Sequence, residues 1–91
     1  MKPRTTIIGL DDPITLSSLS ISKGVTAEAE LGIVIRRPCK NIRDEDEVPV
    51  FFGYVPILDM TAEDILQRNP RFLTRAKSFD SFLRFGPVIL I

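Results

Sequence analysis

Val25-Thr26-Ala27-Glu28-Ala29-Glu30-Leu31-Gly32-Ile33-Val34-Ile35 decides the fold class. Apolar or small residues fall at Val25, Ala27, Ala29, Leu31, Ile33 and Ile35, a strict alternation. Successive side chains of an extended chain point to opposite faces, so a period of two predicts a β-strand with one apolar face. The other face carries Thr26, Glu28, Glu30, Gly32 and Val34, and passes from polar to apolar along its length. Residues two apart on a strand share a face, with side-chain roots about 7 Å apart. Glu28 and Glu30 therefore form a carboxylate pair that is either solvated or bridged by a cation.

Downstream, residues 51–60 read as a second strand through Tyr54, Val55, Ile57 and Leu58. Pro56 lacks a backbone donor, which predicts an edge position or a bulge there. Thr61 is a good N-cap with Asp64 at the third helical position, so residues 62–68 are expected to be helical, stopped by Asn69-Pro70. Residues 71–78 read as loop. Phe79, Phe82 and Phe85 are expected in core or interface packing, and lead through Gly86-Pro87 into an apolar strand at 88–91. Such a strand needs a neighbour, since an unpaired apolar edge invites association.

Upstream, Gly9, Asp11, Asp12 and Pro13 signal a turn, with a short strand expected at 14–19 and a polar break at 20–24. Residues 36–41, with Pro38, read as a turn or loop. Asp44 is placed to cap a short helix with Glu47 three residues on, and Pro49 keeps it short. The run Asp44-Glu45-Asp46-Glu47 lacks the glycine and alternate spacing of a calcium loop, and reads as a solvated face. The expected class is mostly β (α+β), with one short helix after Asp59.

Composition bounds the function. The chain has 91 residues, enough for at most one domain. Its formal net charge is zero, which argues against nucleic acid or an anionic membrane as partner. No apolar run approaches the roughly 20 residues of a spanning helix. The single cysteine, Cys39, cannot make an internal disulfide, and fits a cytoplasmic setting. There is no histidine, the side chain used most often as acid or base near neutral pH. Cys39 is then no member of a catalytic dyad.

Asp59 ends the second strand. If the two strands are neighbours, Glu28, Glu30 and Asp59 can converge. An all-oxygen site of this kind suits Mg²⁺, Mn²⁺ or Ca²⁺. The competing reading is a solvated strand face with a loop aspartate. Lys77, in Ala76-Lys77-Ser78-Phe79-Asp80, either holds an anionic substrate oxygen beside such a site or is an ordinary surface lysine.

The order of several short motifs carries a resemblance. Lys2-Pro3, Ile8-Gly9 and Asp12-Pro13-Ile14 come first. Glu28-Ala29-Glu30-Leu31-Gly32 and Gly53-Tyr54 follow, then Leu58-Asp59-Met60-Thr61-Ala62-Glu63-Asp64, Lys77-Ser78-Phe79-Asp80 and Gly86-Pro87. In this order they resemble the fumarylacetoacetate hydrolase family, with residues 1–91 as one partial domain from the middle of the family sequence.

The resemblance implies part of a mixed β-roll. It implies Glu28, Glu30 and Asp59 as ligands of Mg²⁺ (or Mn²⁺, Ca²⁺), Lys77 as a catalytic and substrate-binding residue, and Glu63 at a substrate-facing position. It also implies a metal-dependent hydrolase, decarboxylase or isomerase of 2-oxo or 1,3-dicarbonyl acids. That chemistry is C–C cleavage or double-bond migration through a metal-stabilised enolate. The partners implied are a small-molecule acid and either a homodimer mate or a complementing chain.

The sequence departs from the family pattern. Glu63 stands where arginine is usual, Leu66 where glutamine is usual, and Arg36 where glycine is usual. The family's water-activating histidine and its Thr-Gly-Thr-Pro segment have no counterpart. A second expectation is thus a non-catalytic truncated relative that binds metal or oligomerises without turnover.

Overall fold

The computed structural model describes residues 1–16, 24–46 and 50–90. Two long strands form its frame: β2, Val25–Ile35, and β3, Phe51–Ala62, both named after a two-residue β1 at Ile7–Ile8. After β3 come helix α1, Glu63–Arg68, and helix α2, Leu73–Lys77. Two short strands close the chain: β4, Leu83–Phe85, and β5, Ile89–Leu90. The sheet order is β1-β4-β3-β2, with β5 also on β3. β1 and β4 are parallel and the other pairs antiparallel, so the sheet is mixed.

The alternation over Val25–Ile35 gives the strand it predicts. β2 pairs with β3 in register from Val25↔Ala62 through Glu28↔Asp59 and Glu30↔Ile57 to Val34↔Gly53, and shifts at Ile35. Its apolar face behaves differently along its length. At one end Val25 packs on the core made by Met60, Ala62, Ile65, Ala76 and Phe82. At the other end Leu31, Ile33 and Ile35 are exposed, Leu31 at 66%.

Pro56 is neither on an edge strand nor at a bulge, because β3 is central. Along a strand a residue's N and C=O point to the same side. The Pro56 carbonyl accepts from Gly86 N at 2.9 Å, so the missing donor faces the gap where β4 ends and β5 has not begun. The reciprocal bond to Gly86 is the one a proline cannot donate, and the β3–β4 ladder ends there. Gly53 marks another close approach, since a Cβ at this position would strike the Ile89 carbonyl oxygen of β5.

Thr61 is not a helix cap. It is the penultimate residue of β3, and Ala62 takes the N-cap position without a side-chain hydrogen bond. Residues 71–77 are not loop: a 3₁₀ turn at Pro70–Phe72 runs into α2, and only Ser78 of the expected loop lies outside a helix. The Asn69 side chain accepts from Arg71 N at 3.0 Å, with Pro70 in the first turn. Asn69-Pro70 thus ends one helix and starts the next, as a cap followed by proline can.

Residues 14–16 are not strand, and the rest of the expected strand, the polar break at 20–23 and the residues Glu47 and Pro49 lie outside the described residues. Asp44 starts a 3₁₀ turn, Asp44–Asp46. The turn signal at 9–13 is observed, with Asp12 Oδ2 accepting from Gly9 N at 2.8 Å. Phe82 is fully buried and meets the Phe79 ring at 5.3 Å between centroids, as core packing predicts.

Candidate metal centre

The β2–β3 register puts Asp59 directly opposite Glu28, with Glu30 one pleat further on the same face. One carboxylate oxygen from each of Glu28, Glu30 and Asp59 lies within 4.8 Å of the others. The two glutamates are exposed and Asp59 is buried. The site therefore opens from solvent towards the sheet.

Two lysines meet these carboxylates. Lys77, the last residue of α2, is placed by its neighbour Ala76, which is fully buried in the core. Its Nζ donates to Glu28 Oε2 at 3.0 Å, Asp59 Oδ2 at 3.1 Å and Thr61 Oγ1 at 2.8 Å. Lys2 arrives from the chain start, and its side chain is only 6% exposed. Its Nζ donates to the carbonyls of Met60 at 2.5 Å and Phe82 at 2.9 Å, and sits 5.5 Å from the Phe82 ring centroid. It also forms an ion pair with Asp59 Oδ1 at 2.6 Å.

Burial works against ionisation of Asp59, but contacts with Lys2 and Lys77 outweigh it and hold the carboxyl below the usual aspartate range. Burial also works against the Lys77 charge; the bonds to Glu28 and Asp59 win and raise it above an ordinary lysine. For Lys2, burial wins over Asp59 and lowers it. Three carboxylates against two ammoniums leave the cluster one net negative charge. A hard all-oxygen set of three carboxylates, with net negative charge left over after both ammoniums, fits a divalent cation.

Glu63 begins α1 and accepts from the Thr26 hydroxyl at 3.0 Å, so it reaches the strand face that carries Glu28. Asp44 and Glu45 are exposed and stand apart from the cluster; Arg43 lies 3.7 Å from Glu45 in solvent. Cys39 is exposed and unpaired. An apolar cavity of about 300 Å³ is lined by Leu10, Ala29, Pro56, Leu58 and Arg84 among others. Ala29, Leu58 and Arg84 are cross-strand partners on the face opposite Glu28, while Glu30 also lines the cavity, which therefore borders the centre at that residue. Sequence reasoning gave no role to Lys2, which lies 57 positions from Asp59, and mistook that of Thr61. Among the described residues no helix is long and apolar enough to cross a membrane.

Comparison with known proteins agrees with the motif order. A mitochondrial oxaloacetate tautomerase of Xenopus laevis is 34% identical over 87 residues, covering 94% of this chain and 27% of that protein. The crystal structure of 2-hydroxyhepta-2,4-diene-1,7-dioate isomerase from Mycobacterium marinum superposes with a TM-score of 0.84 at 38% identity, over 98% of this chain and 34% of that one. Maleylpyruvate hydrolase from Sphingobium sp. SYK-6, solved with manganese(II) and pyruvate, superposes with a TM-score of 0.75 at 33% identity, over 97% of this chain and 30% of that one. The chain spans about a third of the length of the curated relatives it matches. The family model for the fumarylacetoacetate (FAA) hydrolase C-terminal region matches residues 1–91, and the chain belongs to that family.

Proposed function

We propose that this chain forms the cation-holding part of a divalent-metal-dependent enzyme acting on 2-oxo or 1,3-dicarbonyl acids, by C–C cleavage or double-bond migration. The observation that carries the reading is the convergence of Glu28, Glu30 and Asp59 within 4.8 Å, with Glu28 opposite Asp59 on the paired strand. Mg²⁺ or Mn²⁺ would be held by these three carboxylates, with Ca²⁺ as the competing ion. The ion, when bound, supplies Lewis acidity toward a substrate carbonyl oxygen. Relatives named as a tautomerase, an isomerase and a hydrolase support this general class of reaction.

The chain's own residues divide the remaining work. Glu28 and Asp59 are held in place by Lys77. With its raised proton affinity Lys77 stays an ammonium at neutral pH. Its charge therefore favours a nearby anionic substrate oxygen through space, without giving up the hydrogens it shares with Glu28, Asp59 and Thr61, and it takes no proton. Glu63, two strand positions from Glu28 through Thr26, faces a polar substrate group. We place the protein in the cytoplasm, on its lone exposed cysteine. The exposed apolar end of β2 supports a homodimer or a complementing chain as the partner that completes the site.

A second reading, a family member that binds metal without turnover, is favoured by the absence of histidine. The purified chain, titrated with Mn²⁺ and assayed on oxaloacetate and acylpyruvates, tests both. The expected result is Mn²⁺ binding with little turnover by the chain alone. Absence of Mn²⁺ binding contradicts the cation site, and efficient turnover by the 91 residues alone contradicts the need for a partner.

A further inference from the structure

Lys77 uses all three of its ammonium hydrogens inside the cluster, on Glu28 Oε2, Asp59 Oδ2 and Thr61 Oγ1. Thr61 is fully buried, two residues beyond Asp59 on β3, so its hydroxyl is a fixed anchor. One oxygen of Glu28 and one of Asp59 are therefore engaged by the same ammonium. The second oxygen of Asp59 lies against a different one, Lys2, at 2.6 Å. A bidentate carboxylate must aim both oxygens at one point, and two ammoniums at different oxygens of Asp59 oppose that.

This arrangement bears on which ion the cluster takes. Ca²⁺ gathers about 6–8 oxygens at roughly 2.3–2.6 Å, commonly with bidentate carboxylates. Mg²⁺ keeps several waters and takes single oxygens from one or two carboxylates in an octahedron. We propose that Lys77 is an ion-selectivity residue: by engaging one oxygen of Glu28 and one of Asp59, it confines both to single-oxygen ligation and sets the site for Mg²⁺ or Mn²⁺ against Ca²⁺. The inference rests on the cation reading above and deepens it. Lys77 acts here through the carboxylates it positions.

Calorimetric titration of the whole chain with Mn²⁺ and, separately, with Ca²⁺ tests it. The wild type should bind Mn²⁺ more tightly than Ca²⁺ by about tenfold or more. Lys77→Met should narrow that ratio by about tenfold, chiefly through tighter Ca²⁺ binding, because it frees a second carboxylate oxygen. Lys77→Arg, which keeps charge and donors, should preserve the preference. A merely structural lysine would weaken both ions in parallel and leave the ratio unchanged. An unchanged ratio, a wild type that favours Ca²⁺, or a Lys77→Met chain that binds neither ion overturns the proposal while the cation reading stands. Should Lys77→Met lose its native circular dichroism, Lys77→Gln carries the same comparison with the same expected narrowing. A wild type that binds neither ion sinks the cation reading itself, and this inference with it.

Discussion

Asp59 meets an ammonium at each of its oxygens, Lys2 at 2.6 Å and Lys77 at 3.1 Å. Removing either lysine leaves acceptors behind. Lys2→Met strips two backbone carbonyls and a buried carboxylate of their cation, and is expected to cost about 2–4 kcal/mol in urea unfolding. The sign of the pH dependence follows from the same contacts. The folded-state value of Asp59 is depressed, so its contribution is present above the ordinary aspartate range and is lost as pH falls through the folded value. Lys77 is raised, so its contribution is present at neutral pH and is lost only as pH climbs past its folded value, above that of a free lysine. Melting temperature should therefore fall on acidification below about pH 4, and Asp59→Asn should flatten that fall. Glu28 and Glu30 were legible in the sequence, because a period of two puts them on one face without any tertiary information. The link from Asp59 to Lys2 was not, since no local pattern joins residues 57 positions apart.

At the scale of elements, β2 was legible as a strand while its burial was not. Alternation names two faces but does not say which one the remainder of the fold covers. Leu31, Ile33 and Ile35 make the apolar face, and all three are exposed. Convergence of Glu28 with Asp59 needed the β2–β3 register, which hydrophobic pattern on one strand cannot supply. Helix α2 was missed for a different reason. Asn69-Pro70 is a stop signal for α1 and equally a start signal for the turn after it, and the second meaning decides where Lys77 ends up. Gly53 carries a prediction at this scale. Gly53→Ala would push a Cβ into the Ile89 carbonyl and loosen β5 from β3. The expected cost is about 1–3 kcal/mol, read as a lower urea midpoint.

The whole molecule is open. Its radius of gyration is 15.6 Å, against about 12 Å for a compact domain of this length. Leu31, Ile33, Ile35, Phe52 and Ile89 leave a stretch of apolar surface exposed. A surface of that kind marks an interaction site or an aggregation risk. The isolated chain should therefore self-associate in sedimentation experiments. The double variant Leu31→Lys, Ile33→Lys should shift it toward monomer while leaving the Glu28 face untouched. A chain that stays monomeric at high concentration contradicts the homodimer and leaves the complementing chain as the partner. A cation site built from Glu28, Glu30 and Asp59 can be read by counting bound Mn²⁺ through the loss of its free-ion electron paramagnetic resonance signal. Saturable binding of one ion per chain is expected, falling by about 100-fold in affinity in both Glu28→Ala and Asp59→Ala. Unchanged affinity in either variant, with the fold intact, contradicts it.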